Sequence, residues 1–191
     1  MRTEVGIRVP LALAAGAMAA LLAGTAMAAV VVVGGGAAEA CSQAAEAGSA
    51  RSDALRDCTN ALQEEQLDTR ARAATHVNRG VILMRRGDRA AALGDFDQAI
   101  ALGEHLGEAY VNRGALLIVE RRYEEGLADT NRALELALRE PEKAWFNRAI
   151  AQEEMGDTRS AYLSYRRASE LDPGWREPQA ELARFSVRAA G

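Results

Sequence analysis

The sequence predicts an all-α protein built as a stack of helix pairs, and three observations carry that expectation. A phrase recurs: HVNRGVILM from His76, YVNRGALLI from Tyr110 and WFNRAIAQE from Trp145, at intervals of 34 and 35 residues. Small residues recur behind it at fixed places, Gly80, Gly114 and Ala149 first, then Ala92, Gly126 and Ala161, then Ala99, Ala133 and Ala168. Composition agrees: the chain is 49% hydrophobic but only 5% aromatic, with four prolines, and is rich in the helix formers Ala, Leu, Glu and Arg. A period near 34 residues with two amphipathic helices per unit marks a helical solenoid. One such unit cannot bury its apolar face alone, and stacking buries it.

The first 28 residues read as an address. Arg2 and Arg8 give a positive start, an uncharged apolar run follows from Leu11 to Leu22, and TAMAA sets Ala26 and Ala28 in a small-x-small pattern. This is the layout of a secretory leader and predicts cleavage after Ala28. The rival reading is an uncleaved membrane anchor over residues 11–33, a stretch long enough to cross a bilayer. A lipoprotein signal fits poorly, because Glu39 stands in AEAC where that signal takes a small or apolar residue. Residues 29–36, apolar and then Gly-rich, read as a linker. Their GGG, starting at Gly34, lacks the Lys-Ser or Lys-Thr of a phosphate loop.

Export would decide how the two cysteines, Cys41 and Cys58, are read. An oxidising compartment favours a disulfide, and two thiols without nearby His do not make a metal site. Two unpaired small core residues are the other reading.

Three units follow, over 73–106, 107–141 and 142–175. In each, the apolar and small positions fall three and four residues apart, on one face of each of two helices. Small residues at Gly80, Gly114 and Ala149, and at Ala92, Gly126 and Ala161, let the two backbones approach. Phe96 and Tyr165 fill space beside them, with Thr130 as the exception. RRGDR and EMGDT supply turns whose Gly87 and Gly156 suit a left-handed helix end. VERRY has no such glycine, so the middle turn is expected to be tighter or strained.

This pattern resembles the tetratricopeptide repeat family over Ala73 to Trp175. ELDPGW places Pro173 where that family commonly has proline; the first two units depart there, with Glu104 and Leu138. The resemblance implies a right-handed α-solenoid. It also implies a worn first helix pair over 37–72, formed by AAEACSQAAEAG and SDALRDCTNALQEE, in which Cys41 and Cys58 should face each other as a disulfide. Residues 176–191 read as a capping helix, with Leu182, Phe185 and Val187 on the last repeat and Arg184 and Arg188 toward water.

The resemblance further implies that the first helices line a concave groove. Asn78, Asn112 and Asn147 would then form a ladder with one rung per repeat. An Asn amide both donates and accepts, so it can pair with any peptide backbone. Around it would lie Val77, Val111 and Phe146, then Val81, Ala115 and Ile150. The alternative is that each Asn bonds a neighbouring repeat and only stiffens the stack. Arg79, Arg113 and Arg148 take a position where the family usually has Leu, and are expected to pair with Asp95 and Asp129; Ser164 breaks that series. A family clamp for C-terminal carboxylates needs basic residues lining the groove, which the apolar residues and Asn here do not supply.

The net charge of −4 argues against a general nucleic-acid partner. Two histidines, His76 and His105, form no catalytic constellation, and neither a metal nor a cofactor is expected. The expectation is a non-enzymatic, exported module, periplasmic in a two-membrane bacterium, holding a peptide or partner helix in its groove. The alternative is an assembly subunit of an envelope complex, docking by its outer face with the groove unused or filled by its own tail.

Overall fold

A computed structural model describes residues 6–8, 26–32, 36–103 and 105–188. Most of the expected leader, including Arg2 and the run from Leu11 to Leu22, lies outside the described residues, as do residues 33–35 of the expected linker. Among the described residues are nine helices: α1 (Ala37–Glu46), α2 (Ser52–Glu64), α3 (Thr69–Arg86), α4 (Arg89–Leu102), α5 (Gly107–Val119), α6 (Tyr123–Glu135), α7 (Pro141–Glu154), α8 (Thr158–Leu171) and α9 (Arg176–Leu182). Consecutive helices pack as pairs and the pairs stack, so that α3 touches α5 and α5 touches α7. The architecture is an α-solenoid. No described helix is long and apolar enough to cross a membrane.

Local chemistry sets the helix ends. Asp68 caps α3 by accepting from the Ala71 N–H at 2.7 Å. This starts the helix at Thr69, four residues before the repeat boundary read from the sequence. Asp157 caps α8 through the Ser160 N–H at 3.1 Å. Pro141 opens α7, where a missing N–H costs nothing. Gly87 and Gly156 end their helices at φ 86° and 84°, and in the middle turn Arg121 is forced to φ 64°. A side chain there costs roughly 1–2 kcal/mol, the strain that VERRY foreshadowed.

Each pair closes on its small residues. A Cβ added to Gly126 would lie 3.0 Å from the Gly114 carbonyl oxygen, so α5 and α6 meet backbone to backbone. Phe96 fills the corresponding space over Gly80. The first cluster of the core gathers Cys41, Cys58, Val77, Val81, Ile82, Ala92, Phe96 and Leu116, and a second gathers Phe146, Ile150, Ala161, Tyr165 and Phe185.

The C-terminal helix is shorter than expected. It ends at Leu182, where Arg184 and Phe185 close tight turns onto Glu181 and Leu182. Phe185 then drops onto Tyr162 and Tyr165, at ring separations of 5.7 and 6.0 Å. Arg184 does not reach water as expected: its Nη2 lies 2.7 Å from both carboxylate oxygens of Glu153. Ser186–Arg188 (β2), Val187 included, pairs antiparallel with Gly6–Arg8 (β1), so the two ends of the chain meet. The β-branched Val187 suits that ribbon better than a frayed last helical turn.

Candidate functional site

The first helix of each repeat brings one asparagine to the same inner wall, and all three side chains are fully buried. Their partners come from the N-terminal segment. Residues 26–32 run without helix or sheet along that wall. Asn147 Oδ1 accepts from the Ala26 N–H at 2.8 Å while its Nδ2 donates to the Ala26 carbonyl at 2.8 Å. Asn112 makes the same pair with Ala28, at 2.8 and 2.7 Å. Asn78 makes it with Val30, at 2.8 and 2.7 Å.

The geometry follows from extended backbone. In a strand, the N–H and C=O of one residue point to the same side, and every second residue points alike. An asparagine amide offers one acceptor and two donors, so it takes the place of a partner strand's edge. One rung per repeat matches one residue in two, and the segment runs against the repeat order, from the third repeat to the first. Ser42 on α1 adds a fourth station. Its hydroxyl donates to the Val30 carbonyl at 3.0 Å and accepts from the Val32 N–H at 3.1 Å. Sequence reasoning missed Ser42, because beside Cys41 it reads only as one more small packing residue.

The apolar residues expected around the ladder are all buried. Val111 shares a cluster with Ala28, Ala133 and Ala144. Phe146 and Ile150 share one with Ala26. Val77 and Val81 belong to the cluster on which Met27, Ala29 and Val30 pack. Ala115 is fully buried. The groove is therefore filled, and by the N-terminal segment rather than the C-terminal tail. The sequence had divided that segment between a leader (through Ala28) and a linker (from Ala29). The placement has a plain cause, because an apolar stretch of small side chains gains by burial and its polar backbone needs partners there. A segment seated on these amides does not also lie in a bilayer, so this arrangement and an anchor over 11–33 exclude each other.

The neighbouring arginines point elsewhere. Arg79 grips buried Asp95 through Nε and Nη2, both at 2.7 Å, and His76 Nδ1 approaches the same carboxylate at 2.9 Å. Burial pushes Asp95 up, but the hydrogen bonds from Arg79 and His76 outweigh it and hold its pKa below the ordinary value. Arg113 grips Asp129 at 2.7 and 2.9 Å and reaches Asp97 of the preceding repeat at 2.8 Å. The Asp129 hydrogen bond, against the opposing effect of burial, raises the Arg113 pKa further. Arg148, facing Ser164 rather than an acid, lies over the Trp145 ring at 4.9 Å. With the Gln152 amide oriented to satisfy both its ends, Gln152 accepts from Arg148 Nε at 3.3 Å and donates to Ser164 Oγ at 2.7 Å. Burial alone lowers the Arg148 pKa.

Residues 142–174 match the family model described as "Tetratricopeptide repeat". The chain carries a tetratricopeptide repeat in α7 and α8. Its fold is shared with solved structures. MamA (residues 41 to the end) from Desulfovibrio magneticus RS-1 is 20% identical, with a TM-score of 0.61 over 78% of this chain and 82% of that one. The second TPR domain of human RPAP3, solved in complex with the HSP70 peptide SGPTIEEVD, is 22% identical, with a TM-score of 0.56 over 61% of this chain and 96% of that one. YrrB, described as "a TPR protein with an unusual peptide-binding site", is 20% identical, with a TM-score of 0.58 over 70% of this chain and 64% of that one. None of the curated proteins compared matches the chain. Tetratricopeptide-repeat proteins are typically interaction modules rather than enzymes.

Proposed function

We propose that this protein is an exported interaction module that holds an extended peptide by its backbone in the concave groove. The observation that carries the reading is the set of paired hydrogen bonds from Asn78, Asn112 and Asn147 to Val30, Ala28 and Ala26. Every peptide carries the N–H and C=O groups these amides take. Solved relatives of the same fold include one in complex with a peptide and one described by its peptide-binding site, which supports a peptide or protein as the partner.

Cleavage after Ala28 would take Ala26 and Ala28 off their rungs. Val30 and Val32 would stay on Asn78 and Ser42, and Asn112 and Asn147 would be open to an incoming strand. The mature protein then works in the periplasm of a two-membrane bacterium. There Cys41 and Cys58, buried with Cα atoms 4.8 Å apart and sulfurs at bonding distance, join α1 to α2 as a disulfide. In the chain-entropy estimate, a loop of this size stabilises by about 3 kcal/mol. Thiol labelling of the unfolded protein before and after reduction tests the bridge: labelling only after reduction is expected.

A second reading has one observation in its favour: the chain's own residues fill the groove along the whole ladder. If residues 1–28 are retained, the protein docks by its outer face instead. Mass spectrometry of the exported protein, followed by titration with a fluorescent AMAAVVV peptide carrying two C-terminal lysines, separates the two. The first reading expects a chain beginning at Ala29 and saturable binding that Asn112→Ala weakens by about tenfold or more. That loss corresponds to about 1.4 kcal/mol or more, in the range expected for backbone groups left unpaired. A retained N-terminus with no peptide binding supports outer-face docking.

A further inference from the structure

The way Ala26–Val32 sits on the ladder also says which peptides fit. We infer that the groove selects extended segments with small side chains at two alternate residues, those on the Asn147 and Asn112 rungs, and that Ala26–Val32 is a tethered copy of such a ligand. The inference rests on the groove reading above and adds sequence selectivity to it.

Hydrogen bonds to backbone alone are blind to sequence, so selectivity must come from the space around each side chain. Ala28 is 2% exposed and Ala26 9%. The Ala28 methyl sits in the cluster of Val111, Ala133 and Ala144, residues of α5, α6 and α7. The Ala26 methyl shares a cluster with Phe146 and Ile150, and Phe146 is fixed by Tyr165 and Trp175 at ring separations of 5.5 and 4.8 Å. These walls belong to the packed repeats, so a longer side chain on either rung meets the core of the stack and lifts the backbone off its amide. Beyond these two rungs the groove is wider. Ala29, Val30 and Val31 line an open cavity of about 800 Å³ bounded by Arg70, Leu106, Glu108, Leu138 and Arg139, and Val31 is 47% exposed. Larger residues fit there. The selected pattern is therefore small-x-small, followed by residues of free size, running from the third repeat toward the first.

A tethered copy competes with any free ligand at the high effective concentration that a short linker gives. In the full chain the groove is thus closed to a free peptide unless the segment is displaced.

The test uses the full chain, made without export, and the lysine-tailed AMAAVVV peptide in three forms: unchanged, with Leu replacing the Ala that corresponds to Ala28, and with Leu replacing the Val that corresponds to Val31. Full chains carrying Ala28→Leu or Ala26→Leu should lose protease protection over residues 26–32 and bind the unchanged peptide about tenfold or more tighter than wild type. The peptide with Leu at the Ala28 place should bind at least about thirtyfold more weakly than the unchanged one, and the peptide with Leu at the Val31 place within about twofold of it. Should both variants fail to fold, the same peptide series read as competitors at high concentration on the wild-type chain gives the same ranking. A protected segment in Ala28→Leu, or equal binding of all three peptides, overturns the small-residue rule and leaves the groove reading standing. An unprotected segment with no peptide bound at all overturns both.

Discussion

Asn112 and Arg113 are neighbours in sequence, yet their partners differ in origin. Arg113 finds Asp129, 16 residues away in its own repeat, and Arg79 finds Asp95 at the same separation. The asparagines reach across 48, 84 and 121 residues to the N-terminal segment. One step along a helix turns a side chain by about 100°, enough to move it from the seam between paired helices to the inner wall. The seam row fastens each repeat, and the inner row fastens whatever lies in the groove. Substitutions in the first should change stability and leave groove occupancy alone; substitutions in the second should do the reverse.

The largest effect is expected at the first seam. Arg79→Leu leaves the Asp95 carboxylate buried with His76 alone, and breaking a buried pair of this kind costs about 3–5 kcal/mol. Chemical denaturation should show that loss, while residues 26–32 of the folded fraction stay as protected from protease as in wild type. Exposure of the segment in this variant would break the distinction.

Acid probes the same seam more gently. The Asp95 pKa is held below its ordinary value of 3.8, so its contribution is fully present above that value and fades as pH falls through the lower, folded-state value. Thermal melts from pH 6 downward should therefore fall more steeply at the acid end in wild type than in an Asp95→Asn variant. Parallel curves would show that the pair contributes no proton-linked stability.

The smallest effect is in the middle turn. Arg121→Gly removes the strain at φ 64° but frees the unfolded chain, for a net gain of under about 1 kcal/mol. It should raise the melting temperature slightly without altering peptide binding.

The same contrast decides what the sequence made legible. The seam is local: Gly80, Gly114, Ala92 and Gly126 recur because paired helices repeat at fixed spacing, so the stack and the Arg–Asp pairs could be read from periodicity. The asparagine ladder could be read as a row, because it recurs with the same period. Its occupant could not. TAMAAVVVV has no helical period, and a run of small apolar residues serves equally as a leader, an anchor or a strand buried on a foreign surface. Only the alternation of Ala26, Ala28 and Val30 bears on the third role, and alone it is a weak signal. The ribbon between Gly6–Arg8 and Ser186–Arg188 was hidden for the same reason, since its pairing spans nearly the whole chain and neither half carries a periodic mark.

The most direct measurement is amide hydrogen exchange, residue by residue, over 26–32 in the full chain. Slow exchange is expected at Ala26, Ala28 and Val30, whose N–H groups are held by Asn147, Asn112 and Asn78, with loss of protection at Ala28 in Asn112→Ala while the helices stay protected. Fast exchange at all three amides in the wild-type chain, with the repeats folded, would contradict the seating of the segment on the ladder.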